Sequence, residues 1–191
     1  MFRPCIFALL NCVAAGKVDA RRKYLCGYLI EDWREQAEEG KSAPYEPLWT
    51  ELPNLFRDFR EMREEGVRFL AGTDAGVAFM YTGFSLHDEL QQLVEHVGFS
   101  PMDALRIGTG GVAGFYGEQS TFGALEVNQL AESVLLDADP LADIRNTKRV
   151  EGVLTQGRWL SRKDLDGILL RVERSARTGC EGSGLAQPHY S

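Results

Sequence analysis

The apolar run Val67-Arg68-Phe69-Leu70-Ala71, which stops abruptly at Gly72-Thr73-Asp74-Ala75-Gly76, constrains the fold of this chain more than any other stretch. An amphipathic helical pattern closes just before it at Glu64, Glu65 and Gly66, so the run reads as the strand of an αβ unit in a parallel sheet. In such sheets and barrels the reactive groups sit at the carboxyl ends of strands, which puts Asp74 where chemistry is done. Gly and Asp are also ordinary turn residues, and a polar turn after a strand is the competing reading of the same letters.

A chain of 191 residues with 44% hydrophobic content can bury the core of one domain or pieces of two. Its net charge of -7 and scattered basic residues argue against nucleic acid or an anionic membrane surface as the main partner. Cysteines at 5, 12, 26 and 180 show no Cys-x-x-Cys spacing, so neither a zinc finger nor a disulfide framework is expected and a reduced, cytoplasmic setting is the simplest. Two readings of the amino terminus stay open. Pro4 followed by Cys5 to Leu10 fits a buried strand opened by proline, whereas Arg3, the apolar run and Ala14-Ala15 fit a short export signal cleaved near residue 15.

Helical periodicity covers Asp19 to Glu39 and again about Pro47 to Glu65, with Pro53 expected to delay the second start and Gly66 to cap its end. Ala75 to Phe84 carries Phe79, Met80, Tyr81 and Phe84, apolar surface that can either line a pocket above Asp74 or pack on a neighbouring helix. Ser85 and Asp88 form a capping-box pattern for a helix whose stripe is Leu86, Leu90, Leu93, Val94 and Val97, with His87 in its first turn. Ser100-Pro101-Met102-Asp103 starts the next helix, which Gly108, Gly110 and Gly111 loosen near Thr109. Beyond Gly123 the pattern turns β, with strands expected in Glu132 to Asp137 and in Val150 to Thr155 and Arg158 to Leu160, the last two joined by a Gln156-Gly157 turn. Ser161 to Asp164 caps a last helix.

Four separated stretches, Leu-Ala-Gly-Thr-Asp-Ala-Gly, Phe-Ser-Leu-His-Asp-Glu-Leu, Ser-Pro-Met-Asp-Ala-Leu-Arg and Val-Leu-Leu-Asp-Ala-Asp-Pro-Leu-Ala-Asp-Ile, occur in this order over a chain that, from 1 to 173, resembles the carboxyl-terminal part of the metal-dependent amidohydrolases. The branch it most resembles is the imidazolonepropionase-related and prolidase-like one. The resemblance implies an α/β fold: the last two βα units of a TIM-like (β/α)8 barrel plus strands of a small β-sandwich. Cys5 to Leu10 is then the seventh barrel strand and Phe69 to Gly72 the eighth. It further implies a divalent metal, zinc being the best match, ligated by Asp74, which also serves as catalytic base in the hydrolysis of amide, cyclic amide or dipeptide carbon–nitrogen bonds. Thr73, Phe79, Tyr81 and His87 are the candidates for the substrate pocket.

On this mapping residues 1–122 belong to the barrel, 123–175 to the sandwich strands and last helix, and 176–191 to a loose tail. The family's His-x-His pair and its single histidines have no counterpart among His87, His96 and His189. Two strands cannot close a barrel. The expected partners are therefore a small amide or peptide substrate and the missing amino-terminal half of the barrel or another copy. The alternative is a truncated, non-catalytic relative that acts as an interaction module.

Overall fold

The computed structural model describes residues 19–42, 46–73, 75 and 80–178, and the expected strand Cys5 to Leu10 lies outside them. Asp19 caps a 3-10 turn, Ala20–Tyr24, by accepting from the Arg21 amide at 2.8 Å. Extended backbone at Leu25 separates this turn from helix α1, Gly27–Ser42, so the continuous helix expected from Asp19 is divided. Cys26, at that junction, is disulfide-bonded. This corrects the expectation of free thiols, because a disulfide needs Cα atoms about 4.4–6.8 Å apart in space, which sequence spacing does not report.

Helix α2, Glu46–Glu64, runs through Pro53 rather than starting after it. Its end follows expectation. Gly66 is left-handed at φ 77°, and the Val67 amide reaches back to the Met62 carbonyl at 2.9 Å, closing the last turn.

The chain then runs extended, with Phe69 and Ala71 packed inward and Leu70 40% exposed, the alternation of a strand. Phe69 meets Phe59 and Phe99 edge to face, with ring centroids 6.1 and 5.2 Å apart. Yet Phe69 to Gly72 joins no ladder among the described residues. A ladder needs a neighbour's N–H and C=O groups, and the neighbour that the barrel reading expects, Cys5 to Leu10, lies outside the described residues.

Helix α3, Ser85–Gln92, continues into a π turn, Leu93–Val97, and stops at left-handed Gly98. Its start corrects the expected capping box: Phe84 is the cap, with no side-chain cap bond, and Ser85 is buried at 1% exposure. Helix α4, Pro101–Ile107, starts as expected, the Ser100 hydroxyl accepting from the Asp103 amide at 3.1 Å. The chain breaks at Gly108-Thr109 and resumes as α5, Gly110–Tyr116. Leu90, Leu93, Val97, Ala104, Ile107 and Ile144 form the buried core, with Phe56, Phe59 and Phe69 packed against it. Ile144 reaches this core from a 3-10 turn, Ile144–Lys148, that Asp143 caps through the Arg145 amide at 2.9 Å.

Strands β1 (Ser133–Leu136), β2 (Val150–Thr155) and β3 (Arg158–Ser161) form an antiparallel sheet in the order 1-2-3, with a bulge at Leu135/Leu136. Gln156 and Gly157 turn the hairpin with φ of 49° and 72°, the two positive values of a type I′ turn. Gly152 has a different reason to be glycine, since a Cβ there would stand 2.2 Å from the Trp159 ring lying across it. Helix α6, Arg162–Thr178, follows directly and is held by the expected box, Asp164 accepting from the Ser161 amide at 2.9 Å. No described helix is long and apolar enough to cross a membrane.

Candidate functional site

The end of the 67–73 segment is gripped by a buried acid. The Gly72 amide donates to Oε1 of Glu89 at 3.0 Å, and Glu89, in the middle of α3, is only 7% exposed. Its other oxygen, Oε2, is buried with no partner among the described residues, as are Ser85 Oγ one turn before it and Gln92 Oε1 one turn after. Positions 85, 89 and 92 share one helix stripe. Burial pushes the Glu89 carboxyl above the ordinary carboxylate range, and the Gly72 hydrogen bond opposes that only in part.

Glu89 is not among the candidates taken from the sequence. The signal was there: Glu89, Leu93 and Val97 recur every four residues and all three are buried, whereas Leu86, placed on the buried stripe from sequence, is exposed.

On the neighbouring face of α3, Asp88 accepts from Arg21 Nη1 at 2.5 Å and from Lys148 Nζ at 2.7 Å, so the 20–24 turn and the 144–148 turn are both pinned to the same carboxylate. Arg21 also pairs with Asp19 at 2.7 Å and lies 4.4 Å over the Tyr81 ring. Tyr81, 4% exposed, meets Trp33 edge to face at 5.4 Å, and burial raises its hydroxyl pKa. Of the pocket candidates, Tyr81 is thus packed between a cation and an indole, Thr73 is half-buried directly beyond the Gly72 bond, and Phe79 lies outside the described residues together with Asp74. A cavity of about 390 Å³ lies elsewhere, among Arg22, Lys23, Tyr28 and Arg177.

His87 is half-buried in the first turn of α3, its Nδ1 enclosed without a partner among the described residues. Burial lowers its pKa first, Lys148 lowers it further, and Asp88 acts in the opposite sense. A histidine depressed in the folded state contributes stability that is present above its ordinary value of about 6.5 and lost as the pH falls through the folded value. Urea unfolding at pH 7.5 and pH 5 is therefore expected to show a loss in the wild type that His87→Gln reduces. An equal loss in both proteins removes His87 as its source. His96 has a packing role, its ring stacked on Phe56 at 4.5 Å and its carbonyl accepting from Arg60 at 2.8 Å.

Among the described residues no group of three or more His, Cys, Asp or Glu could hold a metal ion. A catalytic zinc takes about three protein ligands, so these residues do not by themselves fit one.

A profile of the amidohydrolase family matches residues 52–160, from α2 through Gly72 and α3 to β3. No curated protein matches. Among solved structures, a candidate prolidase from Bifidobacterium longum is 32% identical with a TM-score of 0.51, the match covering 60% of this chain and 29% of that one. A Xaa-Pro dipeptidase with methionine bound in its active site is 28% identical at a TM-score of 0.51, over 57% of this chain and 26% of that one. Molinate hydrolase is 29% identical at a TM-score of 0.51, over 60% and 27%. The chain thus spans less than a third of the length of these structures.

Proposed function

Because the chain belongs to the amidohydrolase family, we propose that it supplies the carboxyl-terminal part of a hydrolase that cleaves carbon–nitrogen bonds in amides, cyclic amides or dipeptides, with Asp74 as the catalytic carboxylate. The observation that carries this reading is the family match itself, which includes Gly72, Asp74 and the helix whose Glu89 holds Gly72. The similarity to a candidate prolidase and a Xaa-Pro dipeptidase favours a small substrate with an amide linkage.

In this proposal Asp74 works as a base. An ionised carboxylate at the end of the 67–73 segment takes a proton from the attacking water and returns it to the leaving nitrogen. Thr73, Phe79, Tyr81 and His87 are the proposed surroundings of the substrate, Thr73 and Asp74 being adjacent along the chain. Members of the family generally use divalent metals, and Asp74 is the one ligand proposed from this chain. The others then come from the amino-terminal half of a barrel, carried by another segment or subunit.

The test is complementation. The chain is combined with the histidine-bearing amino-terminal half of a prolidase-like relative, and hydrolysis of an amide, lactam and dipeptide panel is followed together with zinc binding. The chain alone is expected to bind zinc weakly and hydrolyse nothing, and the complex to gain both properties. A stable complex that binds zinc and hydrolyses no member of the panel favours a non-catalytic interaction module and overturns the enzyme reading.

A further inference from the structure

We propose that Glu89 is a positioning residue that clamps the Gly72 amide and so sets the place from which the chain delivers Asp74; the inference rests on the proposed role of Asp74. The geometry is specific. One carboxyl oxygen takes the Gly72 N–H at 3.0 Å, across 17 residues of sequence, while the side chain is more than nine-tenths buried. Asp74 follows Gly72 by two positions in the sequence.

Stability does not explain an acid at this position. Glu89 lies on the stripe of Leu93 and Val97, where an aliphatic residue would pack without the desolvation that a buried carboxyl suffers. Its second oxygen is enclosed and unpartnered among the described residues, so the fold recovers only part of that cost through hydrogen bonding. Buried polar groups left in this condition are uncommon, and each calls for a reason beyond packing. Among the described residues no strand pairs with Phe69 to Gly72. A side-chain acceptor therefore does for Gly72 what a neighbouring strand's carbonyl would otherwise do.

The experiment uses the whole chain, isotopically labelled, and reads the Gly72 amide by NMR. In the wild type this amide is expected to show through-hydrogen-bond coupling to the Glu89 side-chain carboxyl carbon and slow exchange with solvent. Glu89→Gln keeps an acceptor and should keep the protection. Glu89→Leu keeps the bulk without the acceptor and should speed Gly72 exchange by about ten- to a hundredfold, with the amides of Leu93, Val97 and Ala104 unchanged. In the complemented enzyme Glu89→Leu should lower kcat by about 10²-fold with KM little altered, and Glu89→Gln should restore most of it, because misplacing a catalytic group by about 1 Å has an effect of that size.

Absence of the coupling in the wild type overturns the clamp, whether or not the leucine variant folds. Loss of Gly72 protection with kcat intact overturns the positioning role. Asp74→Asn is expected to leave Gly72 protected, so a failure of Asp74 as the base and a failure of Glu89 as the clamp are read from different signals.

Discussion

Replacing Asp74 with asparagine in the complemented enzyme is expected to lower turnover by about 10²- to 10⁴-fold, the usual consequence of removing a general base. Asparagine has nearly the same shape and keeps one carbonyl oxygen, so substrate fit is retained. It has no basicity near neutral pH and brings no charge. The loss should therefore fall on kcat rather than KM, and single-turnover rates should fall with it. Retention of most of the turnover would show that the carboxylate of Gly-Thr-Asp-Ala-Gly is a turn residue, the reading that its letters also allow.

The second large effect is expected from Ile144→Ala. Ile144 is 3% exposed and is the one residue of the 3-10 turn Ile144–Lys148 that enters the cluster of Leu90, Leu93, Val97, Ala104 and Ile107. Deleting it leaves a cavity that α3 and α4 can fill only by moving, and substitutions of this kind cost about 2–5 kcal/mol. Urea unfolding measures the loss directly. Val127, apolar but 90% exposed, is the control: Val127→Ser should lie within about 0.5 kcal/mol of the wild type. Comparable losses at both positions would mean that the 144–148 turn does not belong to the core and that the ion pairs of Asp88 hold it instead.

Local chemistry was legible in the sequence wherever a single residue or pair determines the backbone. Ser100 with Asp103 and Ser161 with Asp164 cap their helices as their spacing requires, because a short side chain reaches only amides about three residues away, onward for Ser100 and back for Asp164. Gln156-Gly157 makes the predicted hairpin turn, and Asn128 adopts the left-handed conformation at φ 72° that its short side chain tolerates. The three strands of the sheet also lie where β-prone runs alternate with turn residues. The same local rules failed at Ser85 and Pro53. The capping-box pattern at Ser85 lost to burial of the hydroxyl and to Arg21 and Lys148, which take Asp88, and the helix around Pro53 absorbed a missing N–H.

At the candidate site the division is the same. Asp74 could be singled out from its neighbours along the chain, since a carboxylate among small residues after an apolar run is a local pattern. The spacing of Glu89 to Leu93 and Val97 places it on the buried stripe, but the amide that it holds lies 17 positions away and no local pattern shows it. Likewise, alternation made Phe69 to Gly72 a strand in outline, but pairing is a property of two segments, and the described residues place none beside it. Amino-acid order determined the Gln156-Gly157 turn and the caps at Ser100 and Ser161. Tertiary structure decided which second acid holds the Phe69 to Gly72 run in place, because burial and hydrogen-bond partners are set by segments far apart in the chain.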